Sequence, residues 1–347
     1  PAARSSRFTC SRCVFWLVAS TMVFAVPARA EDLKIYWTQP NAGTIMRSAL
    51  DGSGSEAYQS GLTYPYGVAI DMDTGMIYWA ARQKIQRTLL ADANAPIEDW
   101  VDASDGLIFP MGVSLSSTDR MLYWADMTSE KVQRKPLDGG PVEDIAIGQR
   151  MPTCVAVDVE GDQVYWITFG DGKVHGRPLD LSGPSQEAVA GLSSPYGIAV
   201  DTVNRQLYWS NYGSGGTSAG SIERWDLGAY GAGKETFLTG LNRPIGITAQ
   251  PETGMLYWVS YGSHTLYGAR LDGSGSITTL APADSAYYIT VGAYAKLEIV
   301  STVTTTGTFQ STLTNSSQTS TMATTTTSSF AWTPTKTTTP TTTQSVT

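Results

Sequence analysis

Cysteine, histidine, positive charge and long apolar runs are all scarce in this chain of 347 residues. The three cysteines, Cys10, Cys13 and Cys154, are too few and too scattered for a disulfide scaffold or a four-ligand zinc site. Two histidines, His175 and His264, cannot build a histidine-rich metal centre. With 23 basic against 31 acidic side chains the formal charge is −8, which argues against nucleic acid as a partner. The one extended apolar run, from Val14 to Val26, is shorter than the roughly 20 residues a membrane-spanning helix requires. Charged residues are only 16% of the chain and 34 residues are glycine, a balance that excludes coiled coil and collagen and points to a turn-rich β protein.

The ends of the chain read differently from its middle. Arg4, Arg7 and Arg12 precede the apolar run, and Ala28-Arg29-Ala30 places small residues at −3 and −1 of a cut after Ala30. Residues 1–30 therefore read as a secretory signal peptide, with a retained signal anchor as the alternative. Cleavage would remove four arginines and no acids, taking the balance to 19 − 31 = −12. The chain opens on Pro1, so its N-terminus is expected to be incomplete. Residues 301–347 hold 22 threonines and 8 serines, too little apolar surface to offset chain entropy, and read as a disordered O-glycosylated stalk. The one N-glycosylation sequon, at Asn315, falls in this tail. Together these features predict secretion; a membrane span beyond a truncated C-terminus would instead place the protein at the cell surface.

Between the ends the dipeptide Tyr-Trp recurs six times, at Tyr36-Trp37, Tyr78-Trp79, Tyr123-Trp124, Tyr165-Trp166, Tyr208-Trp209 and Tyr257-Trp258. The spacings are 42, 45, 42, 43 and 49 residues, and an aliphatic residue precedes each pair, as expected of a strand buried on both faces. Upstream at constant phase lies a strand opened by Pro65, Pro110, Pro152, Pro195 or Pro244, where proline costs no ladder bond. Downstream lies a third strand with an aliphatic-x-Arg pattern at Arg47, Arg87, Arg134 and Arg224, with glycine at 176 and 268. A more polar fourth strand follows, and four strands in about 45 residues is the length of a propeller blade.

The first blade lacks an upstream strand, and one is left over after the sixth, starting 42 residues beyond Pro244 at Ala286. The predicted fold is an all-β, six-bladed β-propeller of four-stranded blades over residues 31–300. Its ring is closed by a C-terminal inner strand that completes the first blade and hides both sheet edges.

These motifs resemble the class B (YWTD) repeats of the low-density lipoprotein receptor group, which form six-bladed propellers in receptors and in basement-membrane nidogens. The resemblance covers nearly all of residues 31–300. The fourth motif position carries Gln39, Ala81, Asp126, Thr168, Asn211 and Ser260, so one blade alone keeps the family's Asp, and an inter-blade network built on it is not expected. The cysteine-rich growth-factor-like modules of the family are not in this chain, so no named receptor's ligand carries over.

Six equivalent Tyr-Trp pairs are frame rather than site, and function is expected in the loops of one ring face. The loops leading into the first strands supply Tyr64, Tyr66, Phe109, Met111, Arg150, Tyr196, Arg243 and Tyr287. Those joining second and third strands supply Phe169, Tyr212, Tyr261 and His264. Aromatics and arginine are the residues enriched in interaction hot spots, so the first reading is a non-catalytic binding or adhesion module for an extracellular protein or glycan, without a cofactor. The rival reading is a lactonase- or esterase-like hydrolase with calcium held by Asp126, Asp171 and Asn211. A third is an extracellular spacer without a specific ligand. Asp71-Met72-Asp73 reads as a turn, Cys154 as a buried inert thiol and His175 as structural.

Overall fold

A computed structural model describes residues 14–26, 32–213, 218–228, 233–293, 296–313 and 316–330, with side chains only between 32 and 293. Two compact units divide it: residues 28–295, and the two termini comprising residues 1–27 with 296–347.

The larger unit is a six-bladed β-propeller, each blade a four-stranded antiparallel sheet. Blade two shows the plan, with Val68–Asp71 innermost, then Met76–Ala81, Lys84–Leu89 and Glu98–Val101 outward. The first strands of blades three to six are Pro110–Ser116, Pro152–Asp158, Pro195–Asp201 and Pro244–Gln250, each opening on its proline. Blade one is completed from the far end of the chain. Ile289–Gly292 pairs antiparallel with Lys34–Gln39, register Ile35 to Val291 and Trp37 to Ile289, so blade one gains the inner strand the other blades have.

The Tyr-Trp strands hold this frame. All six tryptophans are at most 1% exposed, because each lies between its own blade and the next. Across the strand pair, each tyrosine faces the third-strand Arg or Gly. Tyr36, Tyr78, Tyr123 and Tyr208 face Arg47, Arg87, Arg134 and Arg224, whereas Tyr165 and Tyr257 face Gly176 and Gly268. The arginines reach on to a fourth-strand glutamate, as Arg47 does to Glu56 at 2.7 Å and Arg134 to Glu143 at 2.8 Å. A motif of one residue type thus becomes a ladder running across three strands.

The termini form a separate antiparallel sheet, in which Lys296–Leu313 pairs on one side with Val14–Val26 and on the other with Ser316–Phe330. Asn315 lies outside the described residues, as does the centre of the glycine-rich segment between Ser210 and Gly220. No helix among the described residues is long and apolar enough to cross a membrane.

Candidate functional site

The lead-in loops share a backbone device. In five blades the residue before the first-strand proline, or before Ala286 in blade one, is left-handed: Tyr64, Met151, Ser194, Arg243 and Ser285 have φ between 47° and 55°. Glycine would adopt this conformation freely, and a side chain costs roughly 1 kcal/mol there. Side chains stand at these corners nonetheless. The adjoining loops are pinned by amides: Phe169 donates to the Met151 carbonyl at 3.0 Å, Tyr212 to Ser194 at 2.9 Å, and Tyr261 to Arg243 at 3.0 Å.

These corners bring one set of aromatic rings together, with Tyr287 at its middle. Its ring lies 5.6 Å from Tyr66, 5.5 Å from Tyr261 and 6.3 Å from Tyr196. From Tyr66 the contact continues to Phe109 at 5.2 Å, from Tyr196 to Phe169 at 6.3 Å, and from Tyr261 to Tyr212 at 6.4 Å and His264 at 6.2 Å. The Arg243 guanidinium lies 5.4 Å above the Tyr212 ring. All six blades contribute, and no two of these residues that touch across blades are neighbours in sequence.

Two adjoining hollows result. One, of about 320 Å³, is lined by Phe169, Tyr196, Tyr212, Tyr261 and Tyr287 over Ile245. The other, of about 310 Å³, is lined by Tyr64, Tyr66 and Phe109 with Arg82, Gln83, Ile108 and Thr128. Tyr64 is 47% exposed, and Arg150, Arg243 and His264 are exposed as well. Met111 is not part of the accessible face: it is only 2% exposed and packs into the core, because the blade-three strand has begun there. Burial, together with the neighbouring Tyr261 and Tyr66, pushes the Tyr287 hydroxyl up to about 12, and burial raises Tyr196 further. Both therefore remain neutral hydrogen-bond donors at physiological pH.

Beneath the rings the channel is plugged. Counted from the entry proline, or from Ala286 in blade one, the third residue is Gly67, Gly112, Cys154, Gly197, Gly246 and Tyr288. A Cβ on Gly67 would stand 2.3 Å from the Met111 carbonyl oxygen, and one on Gly246 2.3 Å from that of Tyr287, so inner strands approach too closely here for side chains. Tyr288 fills the space this leaves, donating from its hydroxyl to the Thr153 carbonyl across the ring at 2.6 Å. The sequence carries a signal for it, an aromatic in the phase where four other blades have glycine. Beyond Tyr288 the channel holds about 260 Å³, lined by aliphatic residues of all six inner strands with Ser114, Thr248 and Thr290. No carboxylate, amide or histidine lines it.

Among solved structures the chain is similar to one from a nidogen/laminin complex, with 19% identity and a TM-score of 0.66 over 75% of this chain and 98% of that one. It is also similar to virginiamycin B lyase from Staphylococcus aureus (14% identity, TM-score 0.50, 87% of this chain and 88% of that one). A streptogramin B lyase gives 12% identity and a TM-score of 0.52 over 77% and 87% of the two chains. At these identities the likeness is one of fold. No protein-family model matches the chain, and no curated protein matches it in sequence.

For a propeller whose fold neighbours include both a binding protein and lyases, the placement of the acids matters. Asp126 is fully buried, and its carboxylate accepts the amides of Ile108 (2.7 Å), Phe109 (3.0 Å), Thr128 (3.2 Å) and Ser129 (3.0 Å). Its oxygens are thereby committed to holding Phe109 in place rather than to an ion. Asp171 pairs at 4.0 Å with Lys173, and the Asn211 amide donates to the Ser221 hydroxyl at 3.1 Å. No group of three or more His, Cys, Asp or Glu able to hold a metal occurs among the described residues. Cys154 is buried, which pushes its thiol up to about 11, and His175 stacks on Trp166 at 5.6 Å.

Proposed function

We propose that this chain is an extracellular, non-catalytic binding module of the class B repeat type, which takes a protein or glycan partner on its aromatic face. The observation that carries the reading is the convergence of aromatics from all six blades on Tyr287, above a channel that Tyr288 plugs and that no acid lines. Such a surface has anchors and hollows for a partner, while the carboxylate of Asp126 is spent on backbone amides. That a nidogen propeller of the same fold occurs in a complex with laminin agrees with this use of a propeller. Residues 1–30 serve as the secretory leader and 301–347 as a glycosylated stalk carrying Asn315. Cleavage after Ala30 removes the strand Val14–Val26 from the terminal sheet, leaving Lys296–Leu313 paired with Ser316–Phe330 alone.

The test is saturation binding of the secreted full chain to decellularised extracellular matrix, with Tyr261→Ala and Tyr287→Ala as comparisons. Each substitution is expected to weaken binding by roughly tenfold or more, as loss of an interface anchor does. Equal binding by parent and folded variants would place the partner away from this face, and no binding by the parent would leave the spacer role in its place.

A further inference from the structure

The arginines of the propeller fall into two groups. Of eleven between residues 32 and 293, seven are ion-paired to a carboxylate, and Arg177 donates to the carbonyls of Gly183 and Leu181 at 2.7 and 2.9 Å. Among the described residues Arg82, Arg150 and Arg243 have neither an ion pair nor the carbonyl acceptors that hold Arg177. All three stand in the loops of the aromatic face, on blades two, four and six. In a chain with more acids than bases, a guanidinium left without a carboxylate is a group available to a ligand. Arg82 lines the hollow beside Tyr66 and Phe109, and Arg243 lies over Tyr212.

The backbone between these side chains offers a ligand little. The amides of Tyr66, Phe109, Phe169, Tyr212, Tyr261 and Tyr287 all donate within the chain, at 2.7 to 3.0 Å. A peptide laid across the face would find no row of free amides to pair with, so recognition falls to ring faces, phenol hydroxyls and guanidinium forks. Sugar rings present an apolar face for stacking and hydroxyls for the phenols, and a ring carboxylate takes a guanidinium in bidentate fashion. The arginines are spread over alternate blades with aromatics between them. Separate cations among aromatic rings, each against its own ring neighbours, suit carboxylates carried singly on stacked sugars better than dense sulfation, which a tight cluster of cations would hold.

We propose that the aromatic face binds an acidic polysaccharide of the polyuronate type, the sugar rings stacking on the tyrosines and the carboxylates pairing with Arg82, Arg150 and Arg243. This rests on the reading of that face as a binding site.

The experiment is titration calorimetry of the secreted full chain with galacturonate oligomers of defined length. The same oligomers methyl-esterified, a neutral galactan and dextran sulfate serve as comparisons. Binding of the free acid is expected, weakened roughly tenfold by esterification and by each of Arg150→Ala and Arg243→Ala, and weakened further by salt. The ester comparison uses the unaltered chain and so stands whether or not a variant folds. Equal affinity for acid and ester, or binding to dextran sulfate alone, would overturn the polyuronate assignment while leaving a glycan-binding face. No binding to any glycan, alongside matrix binding that Tyr287→Ala abolishes, would overturn it in favour of a protein partner. Loss of both the glycan signal and the Tyr287 effect on matrix binding would remove the underlying reading as well.

Discussion

Arg120 and Arg205 occupy first-turn positions where other blades have Gly75 and Gly254, and both keep a left-handed backbone, with φ of 55° and 54°. The strain has a return in the preceding blade. Arg120 reaches the buried Asp71 at 2.8 Å, and Arg205 reaches the buried Asp158 through a second contact at 2.7 Å. Blades two and three, and four and five, are thus tied by ion pairs outside the Tyr-Trp motif. For Asp71, burial pushes the carboxyl up, but Thr74, Arg120 and the Asp73 amide outweigh it and hold the group below the usual carboxylate range. A carboxyl depressed in the folded state adds stability above its ordinary value of about 3.9 and loses it as pH falls through the lowered one. Asp71→Asn should therefore cost about 2 kcal/mol at pH 7, with the gap to the parent closing towards pH 2 in urea titrations. A gap of equal size at both pH values would show that charge is not its source. The turn role of Asp71 was legible in the sequence; its partner 49 residues away was not.

Within each blade the residue opposite the tryptophan settles how the indole N–H is satisfied. Trp79 donates to Gln86 at 3.1 Å, Trp124 to Gln133 at 3.2 Å and Trp209 to Glu223 at 3.2 Å. Trp166 stacks on His175 and donates instead to Gln149 at 2.8 Å, while Trp258 stacks on Tyr267 at 5.7 Å. Trp37 faces Met46, and its buried Nε1 has no acceptor among the described residues. Met46→Gln should supply one, as Gln86 does in the next blade, and stabilise the protein by about 1 kcal/mol in thermal or urea unfolding. A less stable variant would mean that lost methionine packing outweighs the new bond. The variable middle residue of the aliphatic-x-Arg motif carried this information, but only the strand register shows which x faces which tryptophan.

Ring closure makes the six blades one cooperative body, because each blade buries its Tyr-Trp face against the next and Ile289–Gly292 covers Ile35 and Trp37. A chain ending at Ser285 should lose its single thermal transition and elute as aggregate on gel filtration, having both an open sheet edge and exposed indole. One ending at Ala293 keeps the closing strand and should melt as the parent does. A second ring-level prediction concerns the plug. Tyr288→Ala joins the aromatic hollow to the channel beyond it and removes the bond to Thr153, so it should lower stability by about 3 kcal/mol. The spacing of the repeats already implied closure at Ala286, since a strand count short by one at the start and long by one at the end has a single antiparallel solution.

The sequence by itself determined the blade number, the four strands of each blade, the closing strand and the burial of every Tyr-Trp pair. These follow from periodic patterns that each local segment carries alone. Only the tertiary structure decided that Met111 points into the core, that Asp126 is spent on backbone amides, that Tyr288 plugs the channel and that Tyr287 gathers its neighbours. The Met111, Tyr287 and Tyr288 outcomes depend on the approach of chain segments from different blades, far apart in sequence, and on left-handed corners that no hydrophobic period encodes, while that of Asp126 depends on how the loops of its own blade fold back on it.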